Sequence, residues 1–134
     1  MSDRTILIAD DEPYLTFMLA TRLRELGAKV LVASDGEEAL RLARENLPTL
    51  ILTDLQMPCM TGLELAQQLQ TQPATASIPL VLLTARGHRV PAADIAQTNI
   101  RHLVLKPFST KELMGIVQEL CGLEQTAGTR ARAA

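Results

Sequence analysis

The chain has 134 residues, enough for one domain around one core and too few for two of ordinary size. Hydrophobic residues make up 47% and aromatics only 2%, so Leu, Ile, Val and Ala must fill the core. A formal charge of −2 argues against a duplex-binding surface, and no apolar run approaches the roughly 20 residues that cross a bilayer, so neither nucleic acid nor membrane is an expected partner.

The N-terminus, MSDRTILIADDEP, sets acids where a signal peptide would carry small residues, which makes a cytoplasmic location the expectation. Its apolar run, TILIA at 5–9, ends in Asp10-Asp11-Glu12. Pro13 then suits the first turn of a helix whose apolar face is Leu15, Met18, Leu19, Leu23 and Leu26, closed by Gly27. A second run, KVLVA at 29–33, precedes Asp35 and Glu38, which have the spacing of a capping box. The helix it would open carries Ala39, Leu40, Ala43 and Leu47 on one face, with Asn46 suited to the left-handed ending. LILT at 50–53 runs into Asp54, and Leu65, Ala66 and Leu69 then share a helical face.

LVLLT at 80–84 is followed by the weakest helical pattern, 92–98, with Pro91 expected in its first turn. HLVLK at 102–106 leads into Pro107, a Ser109/Glu112 cap pair and the cleanest helical face, Leu113, Ile116, Val117 and Leu120. Residues 1–123 are expected to form the domain and 124–134, small and polar with two arginines, a flexible tail. Cys59 and Cys121 lack metal or redox spacing and are expected as reduced, fairly buried thiols; His88 and His102 also lack ligand spacing.

None of the five runs alternates apolar with polar, which suits strands buried on both faces of a parallel sheet. The pattern is βα repeated five times. Right-handed crossovers make it a doubly wound open five-stranded sheet of order 2-1-3-4-5, flavodoxin-like, with helices on both faces.

Ligands of such a sheet bind beyond the carboxyl ends of the strands where the winding reverses, here between strands 1 and 3. Asp10 and Asp11 end one of these and Asp54 the other. Three ionised carboxylates repel unless a cation joins them or some take up protons. Oxygen ligands without His or Cys point to Mg²⁺. Strand 4 ends in the hydroxyl of Thr84 beside Ala85, and strand 5 in the charge of Lys106. A carboxylate nucleophile, a metal, a hydroxyl and a lysine make a phosphoryl-transfer site. Each residue alone has an ordinary reading as helix cap, loop charge or solvated stem; their joint placement at strand ends marks the site.

The motifs ILIADDEP, ILTDLQMPCMTG, LLTA and LVLKPF, across residues 4–122, closely resemble the receiver domain of bacterial response regulators. The resemblance implies that Asp54 is the phosphoacceptor. It implies that Asp11 binds Mg²⁺ directly, Asp10 through water and Gln56 through its backbone carbonyl. Thr84 would contact the phosphoryl group, Lys106 would pair with the phosphoryl group or with the resting Asp54, and the Lys106-Pro107 bond would be cis. A sensor histidine kinase or histidine phosphotransfer protein would supply the phosphoryl group, and the changed surface would bind or release a downstream protein target.

Three positions depart from the family's usual residues: Thr61, where little effect is expected; Asn99, expected to tolerate a backbone geometry often given to Gly; and Leu103, in place of a ring that helps report phosphorylation. Leu103 is expected to be buried, at a cost of roughly 2–5 kcal/mol for Leu103→Ala, and not to act as the switch. The segment 84–98 is expected to respond instead. Gln56 and Arg86, two residues beyond Asp54 and Thr84, are expected to shield the phosphoryl group from water, with Arg86 hydrogen bonding its oxygens.

The expectation is a stand-alone receiver, a self-phosphorylating signalling domain rather than a multiple-turnover enzyme. The alternatives are a receiver excised from a larger response regulator or hybrid kinase, and an aspartyl-phosphate hydrolase. The hydrolase typically needs a second acid two residues after the nucleophile, where this chain has Gln56. A binding module that no longer uses phosphorylation is disfavoured by the intact set of Asp10, Asp11, Asp54, Thr84 and Lys106.

Overall fold

The computed structural model describes residues 4–85 and 89–122. The expected tail, 124–134, lies outside them, as do Arg86 and His88. The elements follow in the order β1 (Thr5–Ala9), α1 (Pro13–Glu25), β2 (Lys29–Ala33), α2 (Gly36–Asn46), β3 (Leu50–Asp54), α3 (Gly62–Leu69), α4 (Pro73–Ala76), β4 (Leu80–Ala85), α5 (Ala92–Ala96), β5 (Ile100–Lys106) and α6 (Thr110–Cys121). The sheet is parallel throughout, with order β2-β1-β3-β4-β5 as the βα pattern requires. The short α4 adds one turn to the five expected helices. Thr75, buried, anchors it by donating its hydroxyl to the Leu69 carbonyl at 2.7 Å.

Two apolar layers flank the sheet. Ile6, Ile8, Leu50, Leu52, Val81 and Leu83 pack with Leu19 and Leu23 of α1 and with Leu113 and Val117 of α6. Leu7, Ile51, Leu80 and Leu82 pack on the other face with Ala39 and Ala43 of α2 and with Leu65 and Leu69 of α3. Each large side chain taken fully out of water contributes about 1.5–3 kcal/mol, so aliphatic side chains hold these layers, with Phe108 packed partly buried against the first.

Burial on both faces holds for the central strands β1, β3 and β4 and fails at the edges. In β5, after the buried Ile100, exposed and partly covered residues alternate, because one face is covered less than the other. Leu103 pairs with Leu82 and Leu105 with Thr84 on the layer that α5 should cover. That helix has five residues, none buried, and Leu103 and Leu105 are 45% and 53% exposed. The expected burial of Leu103 is therefore overturned.

The ends of the helices bring smaller corrections. Gly27 takes φ +93° as expected, but Asn46 stays helical and Leu47 takes the left-handed cap (φ +47°), leaving its side chain 52% exposed. Asn46 instead donates its side-chain amide to the Leu42 carbonyl. Asp35 caps α2 by accepting the Glu38 N–H, but the Glu38 carboxylate turns to Ser34 rather than to Asp35. Pro91 precedes α5 as its N-cap rather than entering its first turn. Asn99 does not adopt positive φ; its side chain ties the start of β5 to the Ser77 carbonyl at 2.7 Å. Cys121 is buried as expected, whereas Cys59 is exposed at φ +72° in the loop after β3.

Candidate functional site

Three loops at the carboxyl edge of the sheet bring the site together. β1 ends where Asp10 still donates its N–H to the Ala33 carbonyl at 3.1 Å, which keeps its peptide in the sheet. Its side chain is buried, with Oδ1 accepting the Glu12 N–H at 2.9 Å. Asp11 is exposed beside it. Asp54 is the last residue of β3, one strand away, and is 9% exposed. Oxygens of Asp10, Asp11 and Asp54 all lie within 4.8 Å of one another. Lys106, at the end of β5, crosses to them: its Nζ is 3.1 Å from Asp54 Oδ1 and 3.3 Å from Asp10 Oδ2. The Lys106-Pro107 peptide is cis.

The charges do not balance, and both members of the central pair respond. Burial raises the Asp54 pKa above its usual value, and the charges of Asp10 and Asp11 add to this; the hydrogen bond and charge of Lys106 oppose it without prevailing. Burial works to lower the Lys106 pKa, but its hydrogen bonds to Asp54 and Asp10 and their charges outweigh that and raise it. An anion disfavoured beside a cation that is favoured means the cluster is short of positive charge. Three hard oxygen ligands short of positive charge fit a divalent cation.

The backbone of Asp54 is held as closely as its side chain. Leu55 donates its N–H to the Leu83 carbonyl and accepts that of Gly62, both at 2.8 Å. A Cβ on Gly62 would collide with the Asp54 carbonyl oxygen and meet the Leu82 side chain. The apolar run LILT thus ends on a carboxylate because the strand is buried up to its last residue and emerges at the mouth of the crevice.

The remaining expected residues divide. Thr84 is buried at the end of β4, one residue beyond the Leu83 that pairs with Asp54, and among the described residues its hydroxyl makes a long 3.4 Å bond to the Ala85 carbonyl. Gln56 is exposed in the loop after β3. Leu103 sits midway along β5 on the face opposite Lys106, paired with Leu82, and Arg86 falls outside the described residues. Thr61 forms a complete capping box with Glu64, an interaction the Thr-x-x-Glu spacing carried and the expectation for position 61 passed over. The close approach of Gly62 had no signal in composition or periodicity.

With this geometry the family follows. The response regulator receiver domain model matches residues 6–118, and the chain belongs to that family, the phosphoryl-accepting partner in two-component signal transduction. A probable transcriptional regulator, ycf27, of Porphyra purpurea is 37% identical over 108 residues, covering 81% of this chain and 43% of its own. The chain thus spans under half the length of that relative. A putative response regulator from Chloroflexus aurantiacus superposes with a TM-score of 0.80 at 31% identity, covering 90% of this chain and 98% of that one. The receiver domain of the sensor histidine kinase PA1611 from Pseudomonas aeruginosa, solved with a magnesium ion coordinated in its active-site cleft, gives 0.78 at 28% identity with the same coverage.

Proposed function

We propose that Asp54 accepts a phosphoryl group from a histidine kinase or histidine phosphotransfer protein in a Mg²⁺-dependent reaction, and that the phosphorylated surface changes its affinity for a protein target. The observation that carries this is the convergence of the Asp10, Asp11 and Asp54 carboxylates within 4.8 Å, with the Lys106 ammonium 3.1 Å from Asp54. Asp10, Asp11, Asp54 and the Gln56 carbonyl would hold the metal. When bound, Mg²⁺ neutralises charge on the incoming phosphoryl oxygens. The magnesium in the PA1611 receiver supports this identity for the cation.

In the transfer, an Asp54 carboxylate oxygen forms the new bond to phosphorus while the donor's P–N bond breaks, its electron pair staying on the imidazole. Lys106 already sits on the Asp54 oxygen and exchanges that contact for the phosphoryl oxygens. The Thr84 hydroxyl, whose bond to Ala85 is long, turns to donate to one of them. The product stays on the protein, so this is a signalling domain rather than a turnover enzyme. With Gln56 in place of a second acid, it lacks the general base that would favour a hydrolase.

The donor's docking surface is read from the aromatics. Tyr14 and Phe17 on α1 are 72% and 70% exposed, and the third aromatic, Phe108, lines an apolar hollow with Leu15, Met18 and Pro107 beside Lys106. Two exposed rings on the helix that follows Asp10 and Asp11, with an apolar hollow beside Lys106, are suited to hold a partner protein. No helix among the described residues is long and apolar enough to cross a membrane. Incubation with acetyl phosphate and Mg²⁺, followed by peptide mapping, should place one phosphoryl group on Asp54; label on another residue, or undiminished label in Asp54→Asn, overturns the assignment.

A further inference from the structure

Thr53 is a buried polar residue with no part in the chemistry above. It precedes Asp54 in β3, is fully buried, and pairs with Leu82 of β4 on the layer opposite Lys106. Alternation along the strand keeps it out of the crevice. Its hydroxyl is nonetheless committed: it donates to the Asp54 carbonyl oxygen at 3.0 Å and lies 3.9 Å from the Met57 sulfur. Packing alone would be served as well by Val, which has the same shape and β propensity and no polar atom to desolvate.

The atoms that this hydroxyl reaches are the two ends of the turn carrying Gln56. The Asp54 carbonyl also abuts Gly62, the Leu55 peptide is tied to Leu83 and Gly62, and Met57 is buried beneath the turn. The Thr53 hydroxyl is the side-chain member of this clamp, joining the strand end to the point where the loop returns. We propose that Thr53 is a positioning residue: through the Asp54 carbonyl and Met57 it fixes the exit of residues 55–57 from β3, and so sets how the Gln56 carbonyl and the Asp54 carboxylate present themselves together to the cation. This rests on the functional reading of the site given above. It extends that reading to a residue that touches neither metal nor phosphoryl group. Outer-shell partners that orient ligands typically change metal affinity about 10–100-fold when removed.

Thr53→Val and Thr53→Ser separate positioning from filling, because they move stability and affinity in opposite orders. Val keeps the volume and loses the hydroxyl; Ser keeps the hydroxyl and loses a buried methyl. Urea unfolding should rank Val at least as stable as Ser. Mg²⁺ titration of the amide resonances should rank them the other way, with Val weakened about tenfold and Ser within about twofold of wild type. The initial rate of labelling by acetyl phosphate at subsaturating Mg²⁺ should follow the affinities. If Val proves unfolded, Ser against Thr53→Ala, which differ by the hydroxyl alone, gives the same comparison. Wild-type affinity in Val, or equal affinities in Ser and Ala, overturns the positioning role while leaving the phosphoacceptor reading intact. A wild-type chain that does not bind Mg²⁺ overturns both.

Discussion

At the scale of single residues, the function requires the fold to hold a charge it does not favour. Asp54 has a folded pKa above its unfolded 3.8, so its ionised form is worse off in the fold than in the open chain. The sign follows: ionised Asp54 reduces stability at neutral pH, and the loss is recovered as pH falls through the folded pKa toward 3.8. Asp54→Asn removes that charge in nearly the same volume. It should raise the urea midpoint at pH 7 in EDTA, and the gain should shrink on acidification and on adding Mg²⁺ to the wild type. A lower midpoint for the Asn variant would mean that the Lys106 pair outweighs burial and the neighbouring acids. Leu103 calls for the reverse revision. Being 45% exposed, it should cost under about 1 kcal/mol on truncation to Ala, well short of the loss expected for a core leucine. Thermal unfolding of the purified variant checks this.

At the scale of elements, the turn between β3 and α3 is built more tightly than the helices around it. The Thr61–Glu64 capping box starts α3, and Gly62 lets that start lie directly on the Asp54 peptide. Gly62→Ala cannot be accommodated by a side-chain rotation, since the collision is with backbone. It should cost about 1–3 kcal/mol as overpacking and should also weaken Mg²⁺ binding, because relief comes from moving the acceptor's own carbonyl. Denaturant unfolding paired with a Mg²⁺ titration tests both halves; lost stability with unchanged affinity would show that the strain relaxes into α3 instead. Thr61→Ala removes the cap without touching Asp54, so it should cost about 1 kcal/mol and leave Mg²⁺ affinity unchanged.

At the scale of the molecule, stability is unevenly spread. β1, β3 and β4 are sealed between two apolar layers, whereas α5 buries no residue and leaves part of β5 in water. Amide exchange should therefore be slowest in β1, β3 and β4 and fast in α5, with β5 between them. Binding of beryllofluoride, which imitates a phosphoryl group, should change exchange most within residues 84–98, since α5 buries no residue that would oppose its movement. Protection of α5 equal to that of the central strands would remove the basis for that expectation.

The strands, their order and the meeting of Asp10, Asp11, Asp54 and Lys106 were legible in the chain itself. Apolar runs of four or five residues and the handedness of βα crossovers leave little freedom in how the strands are laid out, and the strand ends then bring the acids together. The LVLKPF motif carried the cis Lys106-Pro107 bond in the same way. Tertiary structure decided what depends on neighbours distant in sequence. An apolar run reads alike in a central strand and at an edge, so the exposure of Leu103 depended on how far α5 extends. Leu47, not Asn46, became the left-handed cap because the chain must turn there to enter β3, whatever the local preference. The contact of Gly62 with the Asp54 carbonyl and the reach of the Thr53 hydroxyl arise only when strand and helix meet, since spacing along a chain records which residues are near in sequence and not which backbone atoms leave no room for a side chain.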